Sequence, residues 1–316
     1  MKRLLPWALF LATSPAWGAF AESVTGGRAA ALDGALTAAP GDVFSLYYNP
    51  AGLMDLAEPE AGLYYGRLFK GISDGSNISR SFFGWASPFR GAALGVSYGA
   101  YGLDRLYTEE TVSVAYARRL GPNARWGATL KHFRRNVGHD ATTDSAIDPL
   151  SGTSFGAEDP VYSSGKSAEA WDVDGGALWR LDPRWRVGVF ATNLLGADVG
   201  LASEDRVPQM LKGGASYDGP WGRVVLDLSR RGRAGGEQTR VHGGLEKSLN
   251  RFAVRCGGGF GENNYARVAA GFSARVRRLR FDYGFWFPLG GVKDTSGSHQ
   301  VSFVLGFGSE EKRAAP

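Results

Sequence analysis

The chain has 316 residues, a formal charge of +5, 21% charged residues and a single cysteine, Cys256. One cysteine excludes an intramolecular disulfide, and so mild and dispersed a charge argues against nucleic acid as a partner. The mean hydropathy of −0.20 has the value of a soluble protein, yet a membrane barrel gives the same figure because only alternate residues of its strands meet lipid.

Lys2 and Arg3 precede the apolar run from Leu4 to Ala12, and small residues follow. That is the order of a secretory leader. Ala16-Trp17-Gly18 and Ala19-Phe20-Ala21 both place small residues at the recognised positions, so residues 1–21 read as a signal peptide cleaved after 18 or 21. A membrane-anchoring helix needs about 20 apolar residues, and Pro6 and Pro15 interrupt this one. Loss of Lys2 and Arg3 leaves the mature chain near +3. No later segment is long and apolar enough to predict a transmembrane helix.

Residues 22–58 differ in character from the rest. They are rich in alanine and glycine, carry Asp33, Asp42 and Asp55, and show no period-two stripe. Leu32, Leu36 and Phe44 are scattered among small residues, and Tyr47-Tyr48-Asn49-Pro50-Ala51-Gly52-Leu53 follows. Asn before Pro favours a turn. The segment predicts short helical turns closed by a tight bend, too short to stand alone and buried if lodged inside a barrel.

From 59 to 308 the chain alternates. Leu279, Phe281, Tyr283, Phe285 and Phe287 interleave with Arg280, Asp282 and Gly284, and Val301, Phe303, Leu305 and Phe307 repeat the pattern. Strict period two marks a strand with one apolar face. Fourteen such runs fall at 60–70, 78–88, 90–102, 107–120, 123–137, 169–181, 184–195, 207–218, 221–231, 238–249, 251–261, 265–275, 278–288 and 298–308. Most are about eleven residues or slightly longer, close to the 9–11 of a tilted membrane-crossing strand and about twice an ordinary soluble strand.

Every second connection is tight: near Pro88-Phe89, Gly121-Pro122-Asn123, Asp182-Pro183-Arg184, Asp218-Gly219-Pro220, Leu249-Asn250 and Val276-Arg277. The others are longer and polar, at 71–77, 138–168, 196–206, 232–237 and 289–297, with short exceptions near 103–106 and 262–264. This segregation predicts an antiparallel transmembrane β-barrel with short periplasmic turns, longer extracellular loops and both termini periplasmic. A soluble sandwich has no reason to sort its loops in this way. Residues 309–316 read as a periplasmic tail. Trp126, Trp185 and Trp221 follow tight turns at matching height, as an interfacial aromatic girdle requires. Trp221 shares its alternation with Arg223 and Asp227, so it needs a bulge near Gly222 to reach lipid.

The face opposite the apolar stripe carries Arg119, Lys212, Arg223, Asp227, Arg240, His242, Glu246, Arg267, Arg280 and Asp282. A charge toward lipid costs about 2–4 kcal/mol near the midplane, so these side chains are expected in the lumen. On this reading an arginine at Phe281 or Phe303 prevents assembly, whereas replacing Arg280 is milder.

No catalytic, cofactor-binding or metal-binding residue is expected. The four histidines lack metal-ligand spacing, and Gly257-Gly258-Gly259-Phe260-Gly261 has no following helix to present N–H groups to phosphate. The acidic loop with Asp140, Asp144, Asp148, Glu158 and Asp159 lacks EF-hand spacing and reads as solvated.

Gly27-Arg28-Ala29-Ala30-Ala31-Leu32-Asp33-Gly34-Ala35, then Asp42-Val43-Phe44-Ser45-Leu46-Tyr47-Tyr48-Asn49-Pro50-Ala51-Gly52-Leu53, resembles the N-terminal signature of the PorV/PorQ group of FadL-like outer-membrane barrels. Arg280 to Gly284, Leu289-Gly290, His299 to Phe303, Asn193-Leu194 and Val207-Pro208 extend the resemblance along the mature chain. It implies fourteen strands, an outer-membrane location and an N-terminal hatch in which Tyr48, Asn49, Pro50 and Gly52 form the gating bend. Two functions follow from it: carriage of hydrophobic small molecules, as in FadL-like members, or help with protein secretion at the surface, as in PorV-like members. Implied partners are outer-membrane lipid and lipopolysaccharide, the barrel assembly machinery, and either a hydrophobic ligand or secreted proteins.

Overall fold

The computed structural model describes residues 19–20, 23–72, 76–104, 106–138, 145–147, 154–158, 165–232 and 237–308. The leader, apart from Ala19 and Phe20, and the tail at 309–316 lie outside the described residues, as do Asp140, Asp144, Asp148 and Asp159.

The N-terminal segment holds two short helices, α1 (Gly27–Ala30) and α2 (Ser45–Tyr48), and a 3-10 turn, Pro50–Asp55. The strands are β1 (Glu60–Leu68), β2 (Ile78–Phe89), β3 (Ala92–Leu103), β4 (Tyr107–Arg119), β5 (Ala124–Val137), β6 (Ser145–Ile147), β7 (Ser154–Glu158) and β8 (Ser167–Arg180). They continue as β9 (Trp185–Thr192), β10 (Met210–Gly219), β11 (Gly222–Arg231), β12 (Gln238–Leu249), β13 (Phe252–Gly261), β14 (Tyr265–Val276), β15 (Leu279–Pro288) and β16 (Ser298–Gly306). β6 and β7 pair only with each other; the other fourteen close into one antiparallel barrel, with β1 hydrogen-bonded to both β2 and β16. The fourteen-strand antiparallel barrel expected from the alternation is the observed fold.

The β6–β7 hairpin was not expected. It sits inside the 138–168 connection, where its short runs carry no apolar alternation to mark them. β9 is shorter than 184–195 because Asn193 takes a left-handed backbone (φ 57°), which ends the strand. β10 starts at Met210 rather than 207, because Val207 is buried in a loop cluster instead of the wall.

Closure follows from local chemistry. At the β2–β3 turn Arg90 and Gly91 both have positive φ, 47° and 80°, the backbone that matches the twist of a two-residue hairpin. At β8–β9 the Asp182 carboxylate accepts N–H bonds from Arg184 and Trp185, both at 2.7 Å. Tight turns gather at one end of the barrel and long connections at the other, and Glu60 of β1 pairs with Gly306 of β16 at the tight-turn end.

Apolar side chains face outward all round the wall: Leu63, Val114, Leu211, Leu226, Val268 and Phe303 are all exposed. Near the tight turns Trp185 stacks on Tyr217 (ring centroids 4.8 Å), which in turn lies 6.2 Å from Trp221. Gly222 has φ 142°, a backbone that breaks the alternation and lets Trp221 point outward while Arg223 points inward.

Candidate functional site

Inside the barrel lies the N-terminal segment. Residues 27–40 are all buried, and so are Phe44, Leu46 and Tyr48 to Leu53. The segment approaches the wall closely, and several wall glycines make room for it. A β-carbon on Gly127 would stand 2.6 Å from Ala51 N, and one on Gly257 2.8 Å from Ala31 O. One on Gly95 would come within 2.7 Å of Leu46 Cδ2 and one on Gly244 within 2.6 Å of Leu32 Cδ2. Real β-carbons do not approach so closely, so the wall carries glycine where the segment crosses it. In the sequence these glycines look unordered because each lies on a different strand.

The bend of the segment is an anchor. Asn49 is fully buried; its Nδ2 donates to Thr37 O at 2.9 Å and reaches Ala177 O and Val189 O, both 3.3 Å away in the wall. Its Oδ1 accepts Ala51 N at 3.2 Å, capping the 3-10 turn that Pro50 opens. Tyr48 Oη accepts Thr25 N at 2.8 Å and donates to Thr25 O at 3.0 Å. Gly52 packs against Pro40 so closely that any side chain would collide. Asn49→Ala leaves buried polar groups unpaired, each costing about 1–3 kcal/mol. It is expected to lower the temperature at which the folded form is lost on a heat-modifiability gel, whereas a silent variant would deny the anchor.

Ion pairs join segment and wall. Arg28 Nε bonds Glu246 Oε2 at 2.8 Å, and Arg255 Nε bonds the same oxygen at 2.5 Å. Arg280 Nη2 meets Asp42 at 2.6 Å while its Nε meets Asp282 at 3.0 Å. His242 Nδ1 lies 2.8 Å from Asp33 Oδ2, and Arg267 lies 3.9 Å from Asp33. Arg267 also stacks over Trp286, and Arg240 over Tyr265. Asp227 accepts Thr37 N at 2.9 Å, and Arg223 bridges Asp218 and Glu246. Arg119 is placed apart from these: it has inward alternation but lies at the tight-turn rim, exposed. Replacing Arg280, expected to be milder than an arginine at Phe281 or Phe303, still removes a half-buried group that holds two buried carboxylates.

Toward the long connections a cavity of about 100 Å³ lies above the segment. Leu46, Phe82, Phe133, Phe190 and Met210 supply apolar walls, joined by Phe20 in a chain cleaved after 18; Arg80, Lys131, Glu109 and Asp174 are its charged groups. Phe20 stacks on Phe133 with centroids 4.5 Å apart, and its N–H donates to Glu109 at 2.8 Å. Lys131 pairs with Asp174 at 2.6 Å. Two cations thus face two carboxylates, and the chamber is formally neutral.

The 193–209 connection folds over this chamber. Asp172, fully buried, accepts N–H bonds from Leu195 and Ala197, each at 3.0 Å, and Arg135 pairs with Asp205 at 2.6 Å. The Asp198 carboxylate accepts N–H bonds from Asp205 and Gly200, which hold its pKa below the ordinary carboxylate range. Val199 and Val207 pack with Phe133 and Ala19. Lys131, Glu109 and Asp174 were missed by sequence reasoning although their alternation puts them on the inner face; nothing local marks them as neighbours.

The geometry defines a class: a closed fourteen-strand barrel with its N-terminal segment inside and a small neutral chamber on the long-connection side. No protein-family model matches the chain, and no curated protein matches it. Solved structures share the fold. The CymD monoaromatic hydrocarbon channel superposes with TM-score 0.66 at 15% identity, covering 90% of this chain and 98% of that one. A Pseudomonas aeruginosa FadL homologue gives TM-score 0.60 at 12% identity, with 91% and 99% covered. The P. putida toluene transporter TodX gives 0.59 at 11% identity, with 85% and 95% covered. The chain has the FadL-like barrel fold.

Proposed function

We propose that this chain is an outer-membrane conduit for small uncharged hydrophobic molecules of about one ring, with the N-terminal segment as its plug and the tight turns and C-terminal end periplasmic. The chamber carries the reading. Its 100 Å³ falls far below the ~300–1,000 Å³ of drug-sized sites and nearer the roughly 150 Å³ cavity that takes benzene. Its two cations are matched by two carboxylates, which leaves no net positive charge for a fatty-acid carboxylate, and aromatic rings line the apolar side. The channels named for monoaromatic hydrocarbons and toluene share the architecture. The outward apolar belt supports the membrane location, and folding there calls on the barrel assembly machinery and lipopolysaccharide as partners.

Uptake of labelled toluene and of a long-chain fatty acid by cells with and without the chain tests this. Toluene uptake is expected to depend on it and fatty-acid uptake not. Phe133→Trp, which fills the chamber, is expected to cut toluene uptake at least about tenfold at unchanged barrel abundance. Equal uptake by the variant overturns the chamber as the route.

A PorV-like role in secretion is the second reading, favoured by the β6–β7 hairpin, which gives the longest connection an ordered element to present to a protein. Normal toluene uptake with a depleted secretome in a deletion strain selects it.

A further inference from the structure

Exposed charge occurs at both ends of the barrel. At the long-connection end Arg206 pairs with Glu204 at 2.5 Å, Arg134 with Glu169 at 3.5 Å and Arg230 with Glu237, beside the exposed Arg67, Lys70 and Lys293. At the tight-turn end five of the six turns carry an exposed arginine, Arg90, Arg119, Arg184, Arg251 or Arg278. None of these five makes an ion pair with another described residue. Among the described residues of these turns the exposed carboxylate is Asp182, whose Oδ1 is engaged by Arg184 N and Trp185 N.

Each of these arginines also adjoins an exposed apolar residue in sequence: Phe89, Leu120, Trp185, Phe252 and Leu279 respectively. Arg90 lies over the Phe89 ring, 5.2 Å from its centroid. The apolar partner belongs to the outward belt, and each arginine lies at the tight-turn rim where that belt ends. A docking site for an acidic protein would concentrate the arginines on the end face. Here they are spread around the circumference, each beside a group that prefers hydrocarbon. An apolar anchor beside a cation is the pattern that an anionic headgroup layer stabilises.

Building on the membrane reading above, we propose that this arginine rim binds the headgroups of anionic phospholipids in the leaflet that meets the tight turns. Guanidinium groups engage phosphate oxygens two at a time, so the rim both selects boundary lipid and fixes the height of the barrel in the bilayer.

The full chain, reconstituted into phosphatidylcholine vesicles, is probed with spin-labelled phosphatidylglycerol and spin-labelled phosphatidylcholine. The boundary layer of the wild type is expected to favour the anionic probe at least about fivefold at low salt. That preference should shrink in molar salt, where the Debye length is about 3 Å. The variant R90Q/R119Q/R184Q/R251Q/R278Q should lose it, whereas R134Q/R230Q at the opposite end should keep it. If the fivefold variant does not insert, R251Q alone, with the wild-type salt series, decides. An inserted wild-type barrel that takes both probes equally, or an arginine-depleted barrel that keeps its preference, overturns the rim and leaves the conduit standing. A chain that stays in the aqueous fraction overturns both.

Discussion

An arginine at Phe281 or Phe303 is expected to stop the barrel from assembling. The two residues are cross-strand partners on β15 and β16, their rings 5.3 Å apart on the outward face. Each sits next to an inward neighbour, Asp282 or Ser302, that is fully buried, so the alternation leaves no choice of face. An arginine toward lipid costs up to about 2–4 kcal/mol, the value at the bilayer midplane, and the ring pair is lost with it. The stability of a whole domain is only about 5–15 kcal/mol, and β15–β16 includes the strand that closes the barrel onto β1. Loss of the fast-migrating folded band and of the chain from the membrane fraction is the expected readout. Phe281→Leu serves as the control and should assemble. Wild-type levels of the arginine variants would mean that the wall faces something other than hydrocarbon.

The second large effect is at Arg280. Its guanidinium holds Asp42 of the N-terminal segment and Asp282 of the wall at once. Both carboxylates are almost wholly buried, and once Arg280 is gone Asp282 keeps hydroxyl bonds from Ser273 and Ser302 but only a 4.0 Å contact with a cation, Arg255. Breaking one side of a buried ion pair costs about 3–5 kcal/mol because the remaining charge is stranded. Arg280→Gln is therefore expected to assemble poorly or unfold at much lower urea. The triple variant R280Q/D42N/D282N, which removes the stranded charges together, should recover a large part of the loss. If R280Q unfolds at the wild-type midpoint, the link between segment and wall is not structural. A chain that tolerates R280Q but fails with D42N would instead place the weight on the Asp42–Phe44 turn, where Asp42 Oδ1 accepts Phe44 N at 2.9 Å.

These two positions show where sequence reasoning succeeds and where it stops. Phe281 and Arg280 were put on opposite faces by period two alone, and the structure agrees. The size of the effect at Arg280 was not readable in the same way. Alternation gives the direction of a side chain but not what it meets, and its partner Asp42 is 238 residues away.

Strand number, strand faces and the tight turns were determined by the sequence itself. Each is a local property: alternation repeats every two residues, and a turn is set by the two to four residues that make it. Tertiary structure alone decided that Arg28 meets Glu246 across 218 residues, that glycines from separate strands form one belt around the N-terminal segment, and that Lys131, Asp174, Glu109 and Phe20 share a chamber. Barrel closure creates those neighbourhoods by bringing strands distant in sequence to a common height. That height depends on the register of every pair between them, which no local pattern records.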